Sequence, residues 1–315
     1  MIVTLTPNPS VDRTVEVDEL IRGAVLRATS AHVDPGGKGV NVARALAANG
    51  RKAAAVLPCG GSEGTQLIAL LEPEGISAVP VAIRGSVRAN ISVTEPDGTV
   101  TKLNEPGPEL SPDEVAALVA ATVEAARAGA AWVVCSGSLP RGVPQRFYAD
   151  LVPALRATGA RVVVDTSGPA LTAALPARPD LIKPNREELA EEAGQPVRTL
   201  GDALRAAMVL RERGAGTVLA SLGADGALLV EETGAYSGEA PVETVRGAVG
   251  AGDATLAGFL AGGGAGPEAL AEALAWGAAA VSLPGSRMPR PDDLRRQAVR
   301  IHDRLEEGRV LRERS

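Results

Sequence analysis

Apolar positions along the chain recur at two alternating spacings. Short runs rich in Val, Leu, Ile and Ala occupy residues 2–6, 53–57, 131–135, 161–165, 179–182 and 216–221, the length and makeup of buried strands. Between them lie segments with apolar residues three and four apart, the spacing of one helix face. One helix start is explicit: Ser111-Pro112-Asp113-Glu114 combines a capping hydroxyl, a first-turn proline and a carboxylate three places on. Pro144 is expected to open another helix, and Asn49-Gly50 to close the one that follows Gly36-Gly37. This alternation predicts βαβ units in an α/β fold. A mostly parallel sheet should lie between helices, with ligands at the C-terminal edge of its strands.

Two stretches break the rhythm. Residues 11–34 read as extended segments with no helix between them. Residues 86–104 read as a hairpin around Pro96-Asp97-Gly98. Together they predict a small antiparallel sheet inserted into the body, a lid or a dimer surface. No linker or second complete domain interrupts residues 1–315, so one domain is expected. The charged tail from Pro291 to Ser315 reads as an amphipathic closing helix.

Composition narrows the picture further. The chain has 315 residues, 45% of them hydrophobic but only two each of Trp, Tyr and Phe, so Ala, Val and Leu must fill the core. That favours helices on a parallel sheet over an aromatic-rich all-β fold. A formal charge of −6 with no long basic block argues against a nucleic-acid partner. Cys59 and Cys135 sit in or beside strand-like runs and read as buried free thiols of a reducing compartment. His32 and His302 lack neighbours at zinc-ligand spacing. No basic-then-apolar leader and no membrane-length apolar run is visible, so a soluble, cytoplasmic protein is expected.

The chemistry concentrates at two glycine-rich helix starts. Gly250-Ala251-Gly252-Asp253 opens an apolar run, and small residues at a helix N-terminus let unpaired N–H groups approach an anion. A carboxylate beside bound negative charge makes sense as the acceptor of a proton from a hydroxyl attacking phosphorus. The plainer alternative is a glycine-rich turn capped by Asp253. Far upstream, Gly36-Gly37-Lys38-Gly39-Val40-Asn41 puts a cation and an amide on another helix's first turn. Gly39 after the lysine rules out a Walker A loop, and Pro7-Asn8-Pro9 in the first βα turn rules out a dinucleotide fingerprint.

Four further segments accompany these two: Asn8-Pro9-Ser10-Val11-Asp12, Ser136-Gly137-Ser138-Leu139-Pro140, Lys183-Pro184-Asn185-Arg186-Glu187-Glu188 and Ser221-Leu222-Gly223-Ala224-Asp225-Gly226. In this order the six resemble the PfkB-type sugar kinases of the ribokinase-like superfamily, over essentially the whole chain. The resemblance implies a ribokinase-like α/β body with a β-sheet lid, ATP as donor and Mg²⁺. It implies Asp253 as catalytic base, with the amides of Gly250, Ala251 and Gly252 as an anion hole. Asp12, Gly37, Lys38, Asn41 and Ser138 would contact the sugar. Lys183, Asn185, Ser221, Gly223, Ala224, Asp225, Gly226 and again Gly252 would contact the nucleotide, and Glu188 would help hold the metal. In the family, Thr or a similar residue stands two places before Gly250 and a polar residue ahead of it; here Ala248 and Gly247 stand there. Ala254 follows Asp253 where the family often has Ser. A hydroxyl that would touch nucleotide or a bound monovalent cation is therefore missing.

Arg27, Arg88 and Lys102 are cations of the inferred lid, and Asn90 follows Arg88 closely. With Thr101 to Pro108 they resemble the branch of the family that binds phosphorylated ketohexoses, 1-phosphofructokinases in particular. The resemblance implies phosphorylation of fructose 1-phosphate at its 6-hydroxyl. Tagatose 6-phosphate or fructose 6-phosphate is the close alternative, and a non-catalytic sugar-phosphate sensor is the reading of another class. A homodimer through the lid is expected, because its outer face would otherwise expose Val15, Val17 and Ile91.

Overall fold

Fourteen strands and nine helices form among residues 1–247 and 249–312, which the computed structural model describes. The strands are Ile2–Leu5 (β1), Ser10–Glu16 (β2), Ser30–Gly36 (β3), Ala53–Cys59 (β4), Ser77–Ala82 (β5), Arg88–Thr94 (β6) and Val100–Asn104 (β7). They continue with Trp132–Ser136 (β8), Arg161–Asp165 (β9), Leu181–Ile182 (β10), Thr217–Ser221 (β11), Ala227–Val230 (β12), Ala235–Glu239 (β13) and Arg300–His302 (β14). The helices are Lys38–Ala48 (α1), Gly61–Leu71 (α2), Pro112–Arg127 (α3), Phe147–Arg156 (α4) and Pro169–Ala174 (α5). Arg186–Ala193 (α6), Leu200–Glu212 (α7), Ala251–Ala261 (α8) and Gly266–Val281 (α9) complete them.

The main sheet runs β14-β13-β12-β11-β10-β9-β8-β1-β4-β5. From β11 to β5 every pairing is parallel, so these strands end along one shared edge. Alternating residues feed opposite faces. Val133 and Cys135 of β8 with Val162 and Val164 of β9 join one core, under α3 to α7. Trp132 and Val134 with Val163 join the other, under α1, α2, α8 and α9. Both faces being covered explains why these strands read as continuous apolar runs.

β2, β3, β6 and β7 form a separate sheet in the order β3-β2-β6-β7. It is not wholly antiparallel, as the hairpin reading implied: β2 and β6 run parallel. The cause is topological, since β2 and β6 follow β1 and β5, parallel strands whose chains leave the body at the same edge. Val17 is buried within the single chain, so it needs no second copy, whereas Val15 and Ile91 stay half-buried.

Other expectations also change. Residues 291–302 do not form a closing helix; two short 3₁₀ turns lead into β14, which covers the open edge of β13. Residues 313–315 of that tail lie outside the described residues. Pro144 opens a turn rather than a helix: Phe147 N–H donates to its carbonyl, and α4 begins only at Phe147. The run at 179–182 shortens to Leu181–Ile182, and β5, β12 and β13 arise where no strand was read. Cys135 is buried, but Cys59 is only half-buried; both are free thiols. Among the described residues, no helix is long and apolar enough to cross a membrane.

Candidate active site

The two glycine-rich helix starts meet at the C-terminal edge of the main sheet. Gly36 ends lid strand β3, and a Cβ there would lie 2.4 Å from the Asp12 carboxylate, so only glycine lets the strands approach this closely. Gly37 caps α1, whose first turn carries Lys38 and Asn41. Gly250, at φ 75°, caps α8 in a left-handed conformation that favours glycine, and it places Asp253 in the first turn. Asn41 Nδ2 donates to Asp253 Oδ2 at 2.9 Å, which ties the first turns of α1 and α8 together.

Between them stands a residue the sequence reading did not single out. Asp165 ends β9 with its side chain fully buried, accepts a hydrogen bond from Lys38 Nζ at 2.9 Å and lies 3.4 Å from Lys183 Nζ. Its signal was present, a lone carboxylate closing Val162-Val163-Val164 where α/β folds bind ligands. Burial alone would push the Asp165 carboxyl up, but Lys183 and Lys38 outweigh it and hold it below the usual range. Lys38 is shifted the other way: burial works against its charge, yet Asp165, Glu188 and Asp253 raise it above an ordinary lysine.

Asp253 feels the opposite balance. Burial, and then the Asp165 charge, raise its carboxyl to about 6, against the pull of Lys183, Lys38 and the Asn41 hydrogen bond. It is therefore a better proton acceptor than an ordinary carboxylate, in a first turn whose N–H groups could receive an anion.

The residues expected to contact a nucleotide gather next to this centre. Lys183, buried, follows β10, and its ammonium would lie 3.2 Å from a Cβ on Gly252. Asn185 and Glu188 make a capping box: Glu188 N–H donates to Asn185 Oδ1 at 2.9 Å, and Asn185 N–H to Glu188 Oε2 at 2.8 Å. The other carboxylate oxygen, Oε1, has Lys38 Nζ 3.9 Å away. Asn185 pairs with Ser221 in a parallel bridge, which brings the loop after β11 alongside. Gly223 and Ala224 are exposed there; Asp225 is buried, its carboxylate accepting the Arg312 N–H at 2.7 Å. Gly226 follows the turn. Among the described residues, no group of three His, Cys, Asp or Glu could hold a metal by itself. Ala248 lies outside the described residues, Gly247 N–H donates to the Val281 carbonyl, and Ala254 is fully buried.

The lid covers the opposite side. Asp12 Oδ1 accepts from Ser10 Oγ at 2.6 Å and from Asn90 Nδ2 at 2.9 Å. Arg88 bridges lid and body, donating to the Glu105 carbonyl at 2.9 Å and the Asn8 carbonyl at 3.2 Å. Burial lowers its pKa, with Asp12 and Glu105 opposing. Asn8 Nδ2 donates to Ser138 Oγ at 3.2 Å, so Ser138 sits at the cleft's rim. Strand register puts Lys102 opposite Ser92 and, by alternation, on the same face as Asn90 and Asp12, though exposed. Arg27 is exposed in the segment between β2 and β3.

Comparisons with known proteins identify the family. The model of the pfkB family carbohydrate kinase matches residues 6–293. The 1-phosphofructokinase of Rhodobacter capsulatus is 40% identical over 261 residues, 82% of either chain. That of Haloferax volcanii is 38% identical over 299 residues, 93% of this chain and 95% of the other. The solved phosphofructokinase-2 from Escherichia coli in complex with substrates and products superposes with a TM-score of 0.86 at 34% identity, over 93% of this chain and 96% of that one. The matched span holds both glycine-rich helix starts and the buried carboxylates between the lysines, and the chain belongs to the pfkB family of carbohydrate kinases.

Proposed function

We propose that this protein transfers the γ-phosphoryl group of ATP to the 6-hydroxyl of fructose 1-phosphate, giving fructose 1,6-bisphosphate. One observation carries the mechanism: Asp253, buried and raised to about 6, is tied by Asn41 to the sugar-side loop and flanked by Lys38 and Lys183. Asp253 accepts the hydroxyl proton, and the α8 N-terminal amides with the two lysines stabilise charge on the transferred group. Asp165 pairs with both lysines and holds their ammonium groups at the sheet edge. Asp12 and Asn90 hold sugar hydroxyls from the lid. Arg88 and Lys102 form its cationic rim, suited to a phosphate already on the substrate. The 1-phosphofructokinase name shared by relatives at 40% and 38% identity favours fructose 1-phosphate over the other ketohexose phosphates.

Mg²⁺ fits this donor set as an ion that comes with the nucleotide. A cage of protein carboxylates is absent among the described residues, while Glu188 keeps Oε1 outside its capping box. Mg²⁺ accepts one carboxylate beside phosphate and water oxygens, and when bound it neutralises charge on the phosphates. The lid's two faces support a homodimer. Opposite the Asp12 side, the register lines up Val15, Ile91, Val93 and Leu103, and Leu103 is 60% exposed. A second lid would cover them by two-fold symmetry, and Leu103→Asp should then yield monomers in sedimentation.

The deciding experiment measures ADP release with fructose 1-phosphate, fructose 6-phosphate and tagatose 6-phosphate, with and without EDTA. The highest kcat/KM for fructose 1-phosphate, lost in EDTA, is expected. A preference for another of the three would transfer the assignment to it, and no ADP release from any would favour a sensor.

A further inference from the structure

We propose that residues 307–312 act as a strap that positions the Ser221–Gly226 loop for the nucleotide, through Asp225, Arg309 and the main-chain N–H of Arg312. The inference rests on reading that loop as a nucleotide contact. The strap lies beyond residues 6–293, the span that the family model matches. It is fastened to the start of α7: Gly201 N–H donates to the Glu307 carbonyl, Leu200 N–H to Arg309 and Leu311 N–H to Arg198, all within 2.9 Å. Leu311 is buried there at 2% exposure.

From this anchorage the strap reaches both nucleotide-side elements. Arg312 N–H donates to Asp225 Oδ2 at 2.7 Å, and Arg309 Nη2 to the Asp225 carbonyl at 3.2 Å. Arg186, next to Asn185 at the start of α6, donates Nη1 to the Arg312 carbonyl at 2.7 Å. Arg309 also lies 3.5 Å from Glu239 at the end of β13. A segment that only covered apolar surface would need Leu311 and nothing more. Instead, a carboxylate of only 6% exposure is matched to a strap N–H, and burying a carboxylate unmatched is costly. The position of Asp225, and with it the turn that presents Gly223 and Ala224, therefore depends on the strap.

Steady-state kinetics of full-length variants test this. Arg312→Pro removes the N–H donor, whereas Arg312→Ala keeps it and loses a guanidinium that is 72% exposed and 3.8 Å from Asp225 Oδ1, a solvent-screened pair of little weight. Arg312→Pro should raise the KM for ATP about three- to tenfold, with the sugar KM within about twofold. That is a fraction of the roughly tenfold or more that a hydrogen bond to a charged group is worth, because the effect reaches ATP only through the loop. Arg312→Ala should change neither. Asp225→Asn is nearly isosteric and guards against misfolding of the proline variant; it should raise the ATP KM about two- to threefold because the bond loses its charge. If Arg312→Pro and Asp225→Asn leave the ATP KM unchanged, or raise both constants equally, the strap has no positioning role. Ala224→Glu, which puts negative charge on the exposed loop itself, separates the two failures. An ATP KM moved by Ala224→Glu but not by Arg312→Pro removes the strap and keeps the loop reading. An ATP KM moved by neither removes both.

Discussion

On the body side of the cleft, charges are deep. Asp165 is 0% exposed, Lys183 5% and Asp253 7%. On the lid side, Asp12, Arg88 and Asn90 are half-buried, and Lys102 and Arg27 are exposed. Buried charges interact through a low effective dielectric and stay in place without substrate, whereas exposed ones are screened and mobile. Under the proposed function the contrast divides two tasks: the body would hold the electrostatics that every phosphoryl transfer needs, and the lid the groups that choose a sugar. Changes in the body should therefore strike turnover, and changes in the lid should strike the sugar KM.

The largest effect is expected at Asp253. Asp253→Asn should lower kcat by about a hundredfold or more with both KM values little changed, as loss of a general base does. In the wild type, kcat/KM should fall with acidification through about pH 6, because the base must be ionised to work and its pKa is raised to that point. The same shift has a stability sign. A carboxyl raised on folding stabilises the fold fully only below its unfolded value, and that contribution is lost as pH rises through about 6. Asp253→Asn should therefore raise the melting temperature more at pH 8 than at pH 5. Turnover within a few-fold of wild type would break the contrast at its strongest point.

Asp165→Asn comes next. It leaves Lys183 buried without its counter-charge, which should cost about 3 kcal/mol or more in chemical denaturation. It should also move the acid limb of kcat/KM below pH 6, because one of the two causes raising Asp253 is gone. A limb that stays put would separate Asp165 from the base.

The lid is addressed by Arg88→Lys. Lysine cannot reproduce the paired guanidinium geometry, so the sugar-phosphate KM should rise about tenfold while the ATP KM stays within about twofold. Equal changes in both constants would place Arg88 outside the phosphate clamp, as a structural bridge between Asn8 and Glu105. Glu188→Gln is smaller and cleaner, since glutamine preserves the capping box while the charge is lost. The Mg²⁺ concentration for half-maximal rate should rise about three- to fivefold; an unchanged titration would leave Glu188 a cap only. Arg27→Ala, on an exposed segment, should change the sugar KM by no more than about twofold, because a screened surface charge contributes little.

Much of this was legible in the chain. Ser111 to Glu114 marked the start of α3, and the valine run at 161–165 became β9. The glycine-rich segments marked the starts of α1 and α8. These features are local: a cap, a period of two or near four, or a glycine before a helix acts within a few residues. The edge strands β13 and β14 were not legible, because their pairing depends on which strand already lies beside them.

The sequence by itself determined the α/β alternation, the order of the six segments, and the presence of Asp253 behind an amide-lined helix start. Tertiary structure alone decided what those residues became. It carried Asn41 to Asp253 across 212 positions and placed Asp165 between two lysines. It turned Asp225 toward the Arg312 N–H and lifted the Asp253 carboxyl to about 6. The reason is physical: a backbone period reflects neighbours along the chain, whereas desolvation and Coulomb energy depend on neighbours in space, which exist only after the sheet edge has assembled.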